Sequence, residues 1–166
     1  MRLFIAVQLN EAMKDALTEV QEKMQRLSVR GNFTKRENLH ITLAFIGEYP
    51  DPHDIKDIVE TIDFEPFTIR LDGLGSFGSL WWAGLAGSDE MKTLANRLRR
   101  ALAEEGIPYD RKKFSPHITL VRKPLTRDGR IPEDVLQNLP HDEMTVDHIS
   151  LMRSERGKNG MIYTEL

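Results

Sequence analysis

The tetrapeptide His-Ile-Thr-Leu occurs twice in this chain, at His40–Leu43 and again at His117–Leu120, and it uses two of only five histidines. An exact repeat of this kind marks one structural unit used twice. Its composition fits a strand, in which successive side chains point to opposite faces. His40 and Thr42 then share one face, opposite Leu39, Ile41, Leu43 and Phe45. By the same parity His117 and Thr119 stand together, opposite Ile118 and Leu120. In each copy the apolar face is suited to a core, and the imidazole and hydroxyl point away from it.

The surrounding pattern repeats as well. Arg2 to Gln8 reads as a strand with Leu3, Ile5 and Val7 on one face and Phe4 and Ala6 on the other. Asn10 can cap a helix to about Leu27, whose stripe is Met13, Ala16, Leu17, Val20, Met24 and Leu27. Gly31 to Asn38 reads as a polar loop, and Leu39 to Ile46 as the first HITL strand. Asp51-Pro52 opens a short helix to about Ile62. Phe67 to Leu71 and Leu80 to Leu85 read as strands joined by the glycine-rich GLGSFGS. That segment lacks the spacing and the following helix of a phosphate-binding loop, so a flexible hairpin connection is expected.

Ser88 can cap a second long helix to about Glu105, with Met91, Leu94, Ala95, Leu98 and Leu102 as its stripe and Gly106 as its stop. The second HITL strand follows, over His117 to Arg122. Then come a turn at Arg127-Asp128-Gly129, a short helix entered by Pro132, and strands over Met144 to Arg153 and Met161 to Glu165. Strand, long helix, HITL strand thus occurs in both halves. This predicts an α+β, pseudo-duplicated chain, each lobe a mostly antiparallel sheet with helices on one face. No linker separates the halves, so residues 1–166 are expected to form a single domain.

Composition narrows the chemistry. The chain is 40% hydrophobic and 30% charged, as ordinary soluble domains are. It has no cysteine, which excludes disulfides, iron–sulfur clusters and thiolate zinc sites. No apolar run approaches the length of a membrane span, and MRLFIAVQLN reads as a strand rather than a signal peptide, so a cytoplasmic location is expected. The net charge of −3 is unevenly spread. Seven basic residues against Asp128 alone lie between Arg111 and Arg130, bracketing the second HITL. They are either a solvated face or a positive field for an anionic substrate.

Two imidazoles on related strands are suited to moving protons in opposite directions, because histidine titrates near ~6.5 and can be either acceptor or donor around neutrality. A threonine two residues along each strand can hydrogen-bond a substrate oxygen, and two such hydroxyls match the two non-bridging oxygens of one phosphate. No HExxH or acidic cluster flanks either motif, so no metal or other cofactor is expected. Serine-nucleophile motifs are absent. His53 in the first turn of an acidic helix, His141 in a loop after a proline, and His148 on a late strand without a threonine partner read as ordinary structural histidines.

With both copies intact, His40-Ile41-Thr42-Leu43 and His117-Ile118-Thr119-Leu120, the chain resembles the two-histidine phosphoesterase superfamily. Within it, RLFIAV, ENLHITLAFIGE, LDGLGSF, FSPHITLVR and LMRSE most resemble the bacterial and archaeal RNA 2′,3′-cyclic phosphodiesterase (2′-5′ RNA ligase) family, along essentially the whole chain. The resemblance implies a bilobal fold whose two sheets line a central cleft, with helices outside. It implies metal-independent hydrolysis of an RNA 2′,3′-cyclic phosphate to a 2′-phosphate, with reversible, ATP-independent 2′-5′ joining as a side activity. It assigns His40 as proton donor to the departing 3′-oxygen, His117 as proton acceptor, and Thr42 and Thr119 as phosphate holders.

Arg122 matches a basic position of that family. Strict alternation puts it on the Ile118 face, so a bulge or the strand's end has to redirect it. Phe4 and Phe114 are candidates either for base stacking or for the core. Lys35, Arg36 and Arg111 to Lys113 are candidates for further phosphate contacts. The expected partners are RNA ends or nucleotides carrying a cyclic phosphate, with no membrane, bound by a monomer. Two alternatives stand beside this reading. One is a phosphodiesterase for a small cyclic nucleotide or an ADP-ribose cyclic phosphate; the other is a non-catalytic module that binds RNA ends.

Overall fold

The computed structural model describes residues 1–166. Two antiparallel sheets form. The first has four strands in the order β3 (His40–Glu48), β1 (Arg2–Gln8), β8 (Ser150–Gly157) and β9 (Gly160–Glu165). The second has five: β2 (Arg30–Phe33), β6 (Ile118–Leu125), β5 (Leu80–Ala86), β4 (Phe67–Phe77) and β7 (Glu143–Val146). The long helices are α1 (Glu11–Arg26) and α3 (Asp89–Glu104); α2 (His53–Thr61) and α4 (Glu133–Leu136) are short.

The pseudo-duplication is visible in the pairing. β1 lies beside β3 as β5 lies beside β6, and each pair is joined through its long helix. The halves nevertheless exchange strands: β2 joins the second sheet, and β8 and β9 complete the first. That exchange fuses two lobes around one core cluster of 34 buried residues. All five residues of the α3 stripe are buried, as are Met13, Leu17, Val20 and Met24 of α1, whereas Leu27 is exposed past the helix end. Asn10 caps α1 as expected, its side-chain oxygen accepting from Met13 N–H at 2.9 Å.

Several local expectations are corrected. Gly31 to Asn38 holds β2 and a 3₁₀ turn at Arg36–Asn38 instead of an unstructured loop. Polar side chains suit β2 because it is an edge strand with an exposed face. The glycine-rich GLGSFGS is not a flexible connection, since β4 continues through it to Phe77 and leaves only a tight turn at Gly78. Gly75 belongs there because the Trp82 indole lies over it; a Cβ would come 2.3 Å from the ring. The strand expected over Met144 to Arg153 breaks at Asp147, so that β7 serves one sheet and β8 the other.

Candidate active site

The two HITL strands share a departure from ideal pleating. In the β1–β3 ladder Ala6 faces Thr42 and Ile5 faces Ala44, which leaves Leu43 without a partner. In the β5–β6 ladder Trp82 faces Thr119 and Trp81 faces Val121, which leaves Leu120 without one. Each motif therefore carries a β-bulge at its leucine, and a bulge advances the alternation by one residue. Leu43 and Ala44 are both buried, and so are Leu120 and Val121. Beyond the bulge the parity flips. Phe45, expected on the core face, turns to the histidine face. Arg122 is redirected in the same way and lines the same cleft as His117 and Thr119.

A side chain from the other half's long helix holds each bulge. Gln21 of α1 donates through Nε2 to the carbonyl of Leu120 at 2.9 Å and to that of Thr34 at 2.8 Å. Arg99 of α3 donates through Nε to the carbonyl of Leu43 at 3.2 Å and through Nη1 to that of Lys112 at 2.7 Å. Each thus ties one motif's bulge to the segment leading into the other motif. Replacing Gln21 with leucine removes these two bonds in a buried setting. The expected cost is about 1–3 kcal/mol of folding stability, read as a lower denaturant midpoint at unchanged slope.

The motifs meet in one cleft of about 930 Å³, lined by His40, Thr42, His117, Thr119 and Arg122 together with Phe4, Phe45 and Tyr163. Both imidazoles are oriented alike. His40 Nδ1 lies 2.6 Å from the carbonyl of Asn38, and His117 Nδ1 lies 2.7 Å from the carbonyl of Ser115. A carbonyl only accepts, so Nδ1 carries the proton in each ring and Nε2 is the nitrogen left for chemistry. The Asn38 anchor is itself fixed, its side-chain amide donating to the carbonyl of Met161 at 2.9 Å.

The surroundings of the two rings differ. His40 packs against Phe4 at 5.0 Å and edge-on against Tyr163 at 5.3 Å, and its Nε2 lies 2.9 Å from Thr42 Oγ1. Burial beneath these rings lowers its pKa below the ordinary histidine value, and the charge of Arg122, joined by that of His117 whenever that ring is protonated, adds to the effect. The Asn38 carbonyl opposes it. Neutral His40 thus accepts from the Thr42 hydroxyl. His117 lies on the more open side, near Phe77 and Trp82.

Positive charge reaches the cleft by a route the sequence did not suggest. Of the basic run between Arg111 and Arg130 only Arg122 is among the lining residues; Arg2, Arg153 and Arg156 come from β1 and β8. Glu48 and Glu155 also line it. Glu48 lies 3.3 Å from the Met1 ammonium, and Glu155 lies 2.7 Å from Arg153 Nε without receiving a hydrogen bond from it. Arg111 instead lies over Tyr109, and Arg36 is paired with Glu11 and Asp15. Of the two candidate phenylalanines, Phe4 is buried in a small cluster with Ala6 and Met152 and also lines the cleft, whereas Phe114 packs against the main core, 5.6 Å from the Arg99 guanidinium. Nowhere do three His, Asp or Glu side chains converge in a way that could hold a metal ion. No helix is long and apolar enough to cross a membrane.

A family model described as the 2′-5′ RNA ligase superfamily matches residues 9–158. The chain belongs to that superfamily. Its relatives there include a Thermus thermophilus protein named RNA 2′,3′-cyclic phosphodiesterase, 37% identical over 183 residues that cover all of this chain and 88% of the relative. One of the same name from Thermotoga maritima is 31% identical over 178 residues, covering 100% and 93%. Among solved structures, the Thermus thermophilus protein TT0787 superposes with a TM-score of 0.84 at 34% identity, covering 100% of this chain and 95% of that one. Escherichia coli LigT complexed with 3′-AMP does so at 0.80 and 27% identity, covering 99% and 94%.

Proposed function

We propose that this chain hydrolyses the terminal 2′,3′-cyclic phosphate of RNA to a 2′-phosphate by paired-histidine acid–base catalysis. The observation that carries the reading is the common orientation of the two imidazoles. Each is pinned at Nδ1 and offers Nε2 to one cleft, on strands that also present a threonine and, from one of them, an arginine. The shared name of the relatives supplies the substrate class.

The phosphate sits between the Thr42 and Thr119 hydroxyls, which donate to its non-bridging oxygens while Arg122 balances its charge. His117 Nε2 takes a proton from water as the water oxygen bonds to phosphorus. The P–O3′ bond breaks, and His40 Nε2 delivers a proton to the departing oxygen. His40 is neutral in the free cleft at neutral pH. The entering anion offsets the repulsion from Arg122, and the Asn38 carbonyl already favours the charged ring. Substrate therefore arms the donor by drawing in a proton.

A pH dependence follows from the lowered His40 pKa. The alkaline limb of kcat/KM, which reports the free enzyme, is expected below the ordinary histidine value of about 6.5. The limb of kcat, which reports the bound state, is expected at higher pH. Coincident limbs would remove substrate-linked protonation from the mechanism. The same shift makes the unfolded chain bind more protons than the folded one between the two His40 values. This group's contribution to stability is full above pH ~6.5 and is lost as the pH falls toward the folded value.

The reading is tested with an RNA oligonucleotide ending in a 2′,3′-cyclic phosphate, in EDTA, beside ADP-ribose 1″,2″-cyclic phosphate. Faster turnover of the RNA end is expected. Preference for the ADP-ribose compound would move the assignment to a small-molecule phosphodiesterase. Tight binding of a 2′-phosphate end with no turnover would make the protein an RNA-end binder.

A further inference from the structure

Each active-site histidine has two aromatic neighbours, but the two sets are finished differently. Beside His40, Phe4 is covered by Tyr163, which stands edge-on to it at 5.0 Å. Tyr163 is available because β9 runs alongside β8 from Met152 to Gly157. Beside His117 stand Phe77, with ring centroids 5.3 Å apart, and Trp82 at 6.2 Å. No strand covers Phe77 as β9 covers β8, because β7 pairs with β4 only from Phe67 to Arg70. Phe77 is consequently 44% exposed and packs against neither core cluster.

Phe77 belongs to β4 and pairs with Leu80 across the hairpin. The Phe77–Leu80 and Leu80–Arg122 pairings put it in the cross-strand row of Arg122, on the cleft face of the sheet. Its ring lies 4.8 Å from that of Trp82 at 35°, and Trp82 is seated over the bare backbone of Gly75. The pair is an aromatic surface beside one histidine, open where its counterpart is closed by the chain itself. A nucleobase is the flat ligand such a surface takes.

We propose that Phe77, backed by Trp82, is the platform for a second nucleoside, the one whose 5′-hydroxyl takes the place of water beside His117. The inference rests on the cyclic phosphodiesterase reading and its assignment of His117 to the attacking oxygen. In the joining direction the 5′-oxygen bonds to phosphorus and gives its proton to His117 Nε2. The P–O3′ bond breaks and the 3′-oxygen takes a proton from His40 Nε2, leaving a 2′-5′ phosphodiester. In the reverse direction the 3′-hydroxyl attacks, its proton passes to His40, the P–O5′ bond breaks, and His117 protonates the 5′-oxygen. Atoms and protons balance with no added nucleotide.

The test compares kcat/KM for cleavage of a 2′-5′-linked dinucleoside monophosphate with that for hydrolysis of a nucleoside 2′,3′-cyclic monophosphate. Wild type and the variants Phe77→Ala and Phe77→Trp are measured. Phe77→Ala is expected to lower the ratio of the two about tenfold, and Phe77→Trp to restore it. A ratio unchanged in Phe77→Ala overturns the proposal. An equal fall in both rates, in folded protein, would assign Phe77 to the nucleoside that carries the cyclic phosphate. Wild type that hydrolyses the mononucleotide but never cleaves the dinucleotide also overturns it. Failure of wild type on both substrates and on an RNA 2′,3′-cyclic phosphate end would instead refute the cyclic phosphodiesterase reading beneath it.

Discussion

Replacing His117 or His40 with alanine is expected to lower kcat on an RNA 2′,3′-cyclic phosphate by ~10²–10⁴, because each removes one proton transfer from the displacement. Neither change should unfold the chain. Both rings lie on the cleft side of their strands, and the buried residues around the motifs are the alternate ones, Leu39, Ile41, Ile118 and Leu120. The double variant is expected to fall little below the worse single one, since proton removal and proton delivery serve one event. Steady-state kinetics with circular dichroism as the folding control checks this. A single variant that keeps more than a tenth of wild-type kcat would remove its histidine from the chemistry.

The second large effect is expected at Arg122. It is the cation of the cleft that shares β6 with Thr119, directly after His117, and it stands on their face only because of the Leu120 bulge. Hydrogen bonds to charged groups are worth about 1.5–3 kcal/mol, so Arg122→Ala should weaken binding of a nucleoside 2′-phosphate by about 10- to 100-fold. Lysine should restore part of this, because it keeps the charge but loses the planar fork. Titration calorimetry at fixed salt measures both. Affinity unchanged in Arg122→Ala would mean that the phosphate is held by the hydroxyls and the arginines of β1 and β8 instead.

What the sequence exposed and what it hid have a common cause. Alternation and helical spacing are local, so the HITL strands, the Asn10 cap and the α3 stripe could be read from short windows. The bulges could not, because an unpaired residue is defined by its partner strand, and the side of the cleft taken by Phe45 and Arg122 hinges on it. Arg153, Arg156 and Tyr163 reach the cleft because β8 and β9 return to the first sheet beside β1, which carries Arg2, a pairing made between the ends of the chain. Phe114 reads equally as a base-stacking or a core aromatic, and packing against the core beside Arg99 decides its place.

One pair of residues did leave a signal. Gln21 and Arg99 interrupt the apolar stripes of their helices at matching points, between Leu17, Val20 and Met24 in one and Ala95, Leu98 and Leu102 in the other. A polar residue on a core stripe requires a buried partner. Here the partners are the two bulged carbonyls, and the matching positions are a second trace of the duplication that HITL first revealed.

The most direct measurement is the regiochemistry of the product. An RNA oligonucleotide ending in a 2′,3′-cyclic phosphate is incubated with the protein in EDTA, and the terminal phosphate is followed by ³¹P NMR. A 2′-phosphate is expected as the sole monoester, formed by wild type and not by the His40→Ala or His117→Ala variant at the same concentration. A 3′-phosphate, or turnover that appears only when a divalent metal is added, would contradict it.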